Sequence, residues 1–170
     1  MTRTILPSLL IALSIFCTNA QQAQTVPADA IPAQTATAVA TDNASFHSIS
    51  HKGVSFEVPD GSTELLGNGL TVKYPDGTFG VSVSVESRRG SDQKRCLQLC
   101  RKLASQMHIK DAQVTKVKIN GKNGAVASGF LESQRVSIAI LPSGSKEITC
   151  IVMNDPTRAP WADRVLRTLR

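Results

Sequence analysis

The chain has 170 residues and is basic, with 19 Lys and Arg against 13 Asp and Glu, a net charge of +6, and only 4% aromatic residues. That length allows one modest core. The sign of the charge favours acidic partners over basic ones.

Residues 1–20 read as a secretory signal. Arg3 precedes an apolar run from Ile5 to Phe16, and Thr18-Asn19-Ala20 offers a cleavage point after Ala20. The run is too short to span a membrane. Cys17 would be an acylation site only if a small residue preceded it, and Phe16 does not fit. Membrane association is therefore expected only if Cys17 is lipidated. Residues 21–45 are rich in Ala, Thr, Gln and Pro without an aromatic side chain; such a segment cannot offset its ordering entropy and reads as a tether. Asn43-Ala44-Ser45 matches an N-glycosylation acceptor, relevant to a eukaryotic source alone. Residues 46–170 then form a single domain with 18 basic against 11 acidic residues, a net charge near +7. An exported chain of this charge points away from nucleic acid and toward an acidic protein, an anionic glycan or lipid headgroups.

Within the domain, 46–52 reads as a first, weak strand. Val54, Phe56 and Val58 alternate with Ser55 and Glu57, and Pro59-Asp60-Gly61 turns the chain. Leu70, Val72 and Tyr74 alternate with Thr71 and Lys73. Pro75-Asp76-Gly77 joins this strand to the next as a hairpin. From Phe79 the alternation is strict: Phe79, Val81, Val83 and Val85 share one face, and Gly80, Ser82, Ser84 and Glu86 the other.

Arg88-Arg89-Gly90 breaks the strand. Ser91 stands at the expected N-cap of a helix over 92–107, and Asp92 suits its positive end. Cys96, Cys100, Leu103, Ala104 and Met107 form the apolar stripe, with Leu97 and Leu99 at its edges. Four strands follow, at 112–119, 125–132, 135–141 and 147–153. Two Asn-Gly pairs, at 120–121 and 123–124, mark the first hairpin of an antiparallel meander. A last helix starts near Pro160 and buries Trp161, Ala162, Val165, Leu166 and Leu169.

The pattern specifies an α+β fold: an antiparallel β-sheet of about six to seven strands flanked by two helices, an α/β/α sandwich. The later strands are apolar on both sides, so both helices are expected to cover that half. The earlier half is expected to expose Ser55, Glu57, Thr71, Lys73, Ser82 and Ser84 in part. This order resembles the PsbP-like family, which includes import factors of the Mog type. The resemblance rests on the opening Val54-Ser55-Phe56-Glu57-Val58-Pro59, the strand running directly into the 92–107 helix, the four-strand return and the short terminal helix with Trp161. It implies a domain that binds other macromolecules and has no shared catalytic set.

The candidate chemistry is sparse. An exported protein meets an oxidising compartment, so Cys150 is expected to pair with Cys96 or Cys100, while three buried free thiols are the alternative. His47 and His51 are four residues apart, but on a strand they would stand ~13 Å from each other and could not share a metal. His108 has no carboxylate near it in sequence. No phosphate loop, nucleophile elbow or zinc-protease pattern occurs, and no cofactor or enzymatic activity is expected. The excess positive charge lies on two helix faces. Lys94, Arg95, Arg101 and Lys102, joined by Arg88 and Arg89, form one; Arg164, Arg167 and Arg170 form the other. The reading is an exported non-enzymatic binding or adaptor domain that contacts a protein or an anionic envelope component through these faces. Two alternatives stand beside it: a small-ligand domain with a pocket between sheet and helix, and a structural envelope component anchored as a lipoprotein.

Overall fold

Turn chemistry sets the strand boundaries. Asn120 and Gly121 have φ of 46° and 81°, the doubly positive pair that suits a two-residue hairpin turn, and they join β6 (Lys110–Ile119) to β7 (Lys122–Leu131). The second Asn-Gly pair is not in the turn: Gly124 lies within β7, where an added Cβ would press on the Ile140 carbonyl and the Leu141 side chain. Gly144, φ 61°, turns β8 (Gln134–Ser143) into β9 (Lys146–Asn154).

The computed structural model describes Ala44–Arg170 apart from Arg89. The signal sequence, Cys17, Asn43 and the tether up to residue 43 lie outside the described residues. Ahead of β6 come β1 (Phe46–His51), β2 (Val54–Pro59), β3 (Thr63–Leu66), β4 (Leu70–Lys73), β5 (Phe79–Ser87) and α1 (Gln93–Gln106); α2 (Ala159–Thr168) follows β9 after a 3₁₀ turn at Pro156–Arg158. Seven strands make one antiparallel sheet in the order β3-β4-β5-β9-β8-β7-β6, and β1 pairs with β2 in a separate two-stranded sheet. β5 and β6 are separated by three strands and run parallel, so α1 is a crossover connection. The α+β class and its helix-flanked antiparallel sheet are as expected; β3 is an addition, and β1 and β2, both expected as strands, pair in a sheet of their own.

Strand alternation and the ladder registers assign the two faces. One carries Ala125, Ala127, Val136, Ile138, Ile140, Ile151 and Met153, and α1 packs there against β6, β7 and β8. The helix offers Cys96, Cys100 and Ala104 to Ala125 and Ala127. Small groups on both sides bring helix and sheet close, and the Cys100 thiol reaches the Ile138 carbonyl at 3.6 Å. The opposite face carries Val81, Val83, Ala139, Leu141, Ile148, Cys150 and Val152, which join one core with Phe56, Val58, Trp161, Val165 and Leu169. α2 and the β1–β2 hairpin together cover that face.

Three local expectations are corrected. The N-cap of α1 is Asp92, whose carboxylate accepts from the Arg95 N–H at 2.7 Å; Ser91 instead donates to Glu147 at 2.8 Å. Ser55 and Glu57 do not lie on the open sheet face. Ser55 exchanges backbone hydrogen bonds with Arg170 at 2.9 and 3.3 Å, and the Glu57 N–H donates to Thr168 Oγ1 at 3.0 Å. Thr71 is buried, while Lys73, Ser82 and Ser84 are half-buried. Asp155 sets up the approach to α2. Its Oδ1 accepts from Thr157 Oγ1 at 2.7 Å and from the Thr157 N–H at 2.9 Å, and these bonds hold its carboxyl below the usual carboxylate range.

Candidate functional site

The expected basic faces divide into tied and untied residues. Glu147 on β9 is buried, with a side chain 5% exposed, and it gathers two of the candidate arginines. Arg95 Nε lies 3.3 Å from its Oε2 and Arg88 Nε 3.5 Å from its Oε1. Arg88 also reaches Glu86 at 3.3 Å. These two arginines neutralise a buried acid and pin the start of α1 to β9. Arg164 is tied as well, to Glu57 at 2.7 Å, with its guanidinium 4.1 Å from the centre of the Phe46 ring. Arg89 lies outside the described residues.

Glu147→Ala is expected to cost about 1–3 kcal/mol. It leaves Ser91 and Arg95 without their acceptor, but Arg88 keeps Glu86 and Arg95 can turn to water, which keeps the loss below that of a sealed ion pair. Urea denaturation with an unchanged m-value and a lower midpoint would show it; an unchanged midpoint would count against the cluster as a structural clamp.

The untied cations collect on the α1 side. Lys94, Arg101 and Lys102 are exposed on α1, and alternation from Ala125 and Ala127 places Lys116 and Lys118 of β6 on the same side of the sheet. None of the five makes an ion pair among the described residues. Lys116 and Lys118 were not among the sequence candidates. Their i, i+2 spacing on a strand was the available signal. Lysines on β6, an edge strand, also discourage edge-to-edge pairing.

Arg167 has no ion pair among the described residues and stands at a second feature, a groove on the opposite face. It runs between α2 and β6–β8 and holds about 460 Å³. Val117, Ile119, Val126 and Leu166 form its apolar wall, and Ser128, Ser137, Arg135, Asp163 and Arg167 its polar part. Asn120 closes one end: its amide donates to the Arg167 and Leu169 carbonyls, both at 2.9 Å, and satisfies the C-terminus of α2.

The cysteine expectation is overturned. Cys96, Cys100 and Cys150 are free and buried. Cys150 shares a face with Ile148 and Val152, but that face meets α2 and the hairpin; the cysteines of α1 lie across the sheet from it. Burial pushes the Cys100 and Cys150 thiols up to about 12 and raises that of Cys96 as well, the reverse of the electropositive setting that a reactive thiol requires. His47 bonds Asp60 at 2.8 Å. His51 leaves Nε2 buried without a partner among the described residues, and burial, followed by the charge of Lys52, lowers its pKa.

The chain's architecture is similar to the solution structure of cyanobacterial PsbP (CyanoP) from Synechocystis sp. PCC 6803, with a TM-score of 0.54 and 11% identity over 75% of this chain and 92% of that one. It is also similar to a crystal structure of a protein from Bacteroides thetaiotaomicron VPI-5482, with a TM-score of 0.50 and 19% identity over 69% of this chain and 44% of that one, so this chain spans less than half that protein's length. These likenesses show a PsbP-like fold. No family model and no curated protein matches the sequence.

Proposed function

We propose that this chain is an exported, non-enzymatic binding domain that docks the α1–β6 side onto an anionic partner, an acidic protein or an anionic component of the envelope. The observation that carries this reading is the sorting of the charges. Arg88, Arg95 and Arg164 are consumed by Glu147 and Glu57, whereas Lys94, Arg101, Lys102, Lys116 and Lys118 stand exposed on one side of the sheet with no ion pair among the described residues. A surface built for solubility alone would intersperse the two signs. The PsbP-like fold, and the resemblance to Mog-type domains that bind macromolecules, support binding over catalysis. The amino-terminal segment supports export.

The test is co-sedimentation of the domain with envelope fractions of its host over a series of salt concentrations. Changing the five cations to glutamine is expected to abolish binding near physiological ionic strength and to flatten its salt dependence. A charge-matched control carries Lys52→Gln, Lys110→Gln, Lys122→Gln, Lys146→Gln and Arg170→Gln and should keep most of the binding. Equal losses in both variants would mean that net charge alone is responsible and would sink the proposed surface.

A further inference from the structure

We infer that the groove between α2 and β6–β8 is a binding site for a small organic acid with an apolar body, a carboxylate amphiphile. The site is on the sheet face opposite α1, and it shares with the anionic docking surface only Lys118, on the edge strand β6. Its volume of about 460 Å³ falls within the ~300–1,000 Å³ typical of small-molecule sites.

Arg135 is the residue that points to a ligand. Among the described residues, four arginines are half-buried. Arg88 and Arg95 share Glu147, and Arg158 has Asp76 at 3.8 Å. The side chain of Arg135, the fourth, makes no ion pair or hydrogen bond with any described residue. A partly desolvated guanidinium without an acid is a fork of donors shaped for a carboxylate. Ser137 lies two residues further along the same strand face, with its hydroxyl 3.4 Å from that of Ser128 on β7. The Ser137 residue is buried, and either hydroxyl can turn to donate to an anion. On the α2 wall Arg167 adds a second unpaired positive charge. Among the described residues Asp163 is the one acid lining the groove, and it pairs with neither arginine.

The remaining wall selects the body of the ligand. Val117, Ile119, Val126 and Leu166 pack against the core yet are only half-buried. They leave an apolar strip beside the polar end. A purely polar anion would leave that strip wet, and a neutral hydrocarbon would leave Arg135 unpaired. A carboxylate carried on an apolar chain satisfies both.

Decanoate is the probe, with decanol lacking the charge and acetate lacking the body. Titration of the folded domain, followed by calorimetry and by backbone amide shifts, should give saturable one-to-one binding of decanoate. The shifts should map to Val117, Val126, Ser128, Arg135 and Ser137. Decanol and acetate should each bind at least about tenfold more weakly, and Arg135→Gln should weaken decanoate by about tenfold, as expected for loss of a charge-assisted bond. Ser137→Ala should weaken it less, and serves as the second variant if Arg135→Gln folds poorly. Lys94→Gln with Arg101→Gln should leave the affinity unchanged. Non-saturable binding, shifts on other surfaces, or equal affinity of decanoate for the wild-type, Arg135→Gln and Ser137→Ala proteins would overturn the site.

Discussion

Trp161→Ala is expected to lower the stability of the domain by about 3–5 kcal/mol, the cost of removing a large buried aromatic side chain and leaving a cavity. Trp161 is 2% exposed and stands where three separate elements converge on α2. Its ring meets Phe46 of β1 at 6.1 Å, Tyr74 after β4 at 5.0 Å and Phe79 of β5 at 5.6 Å, each edge to face. The Arg158 guanidinium stacks over it at 4.2 Å. Each such ring pair adds to the burial term. The loss is a large part of the total for a domain whose stability is on the order of 5–15 kcal/mol. It should also loosen α2 and with it the Leu166 and Arg167 wall of the groove. Trp161→Phe keeps most of the contact and should cost less than half as much. Trp161 is the chain's single tryptophan, so the series is best followed by circular dichroism in urea. A loss below ~1 kcal/mol for Trp161→Ala would mean that α2 is not anchored by this ring.

What the sequence makes legible depends on how local the cause is. Period-two alternation identified β2, β4 and β5, apolar runs bounded by turn residues identified β8 and β9, and the Cys96, Cys100, Ala104 stripe identified α1. β3 escaped notice since Thr63-Glu64-Leu65-Leu66 has no alternation and all four residues are exposed; its register is set by β4 alone. The second Asn-Gly pair looked like turn chemistry, yet Gly124 is there for room against the neighbouring strand.

The basic faces were half legible. Helical periodicity shows which cations point outward, but not which of them meet an acid. Arg95 and Glu147 are 52 positions apart, Arg164 and Glu57 107. Only the fold brings them together. The cysteine error has the same origin. Strand alternation puts Cys150 on one face with Ile148 and Val152. Which helix covers that face follows from the path of the β5–α1–β6 crossover around the sheet, and no residue near Cys150 records it. Arg135 likewise reads as an ordinary strand-end arginine until the groove around it is seen.

The free thiols give the domain a weakness at alkaline pH. Cys100 and Cys150 are protonated in the folded state up to about 12, because burial disfavours the thiolate, whereas their ordinary value is 9.0. Above pH 9 the unfolded chain therefore sheds protons that the folded chain retains, and stability falls as pH rises. The contribution is fully present below the unfolded value and is lost progressively until the folded value is reached. Each thiol can contribute a slope of up to about 1.4 kcal/mol per pH unit, so two together remove on the order of 4 kcal/mol by about pH 10.5. Lysine and tyrosine also titrate in this range, so the thiol share is isolated by comparison. Cys150→Ala should reduce the slope of unfolding free energy against pH between about 9 and 11 by about 1.4 kcal/mol per unit, whatever its effect on stability at neutral pH. The same chemistry governs labelling. At pH 8 iodoacetamide should leave Cys96, Cys100 and Cys150 untouched in the folded domain and modify all three once urea opens it. A slope unchanged by Cys150→Ala, or one modified cysteine instead of three after unfolding without reductant, would mean that Cys150 is not the buried, unpaired thiol that the sheet places beneath α2.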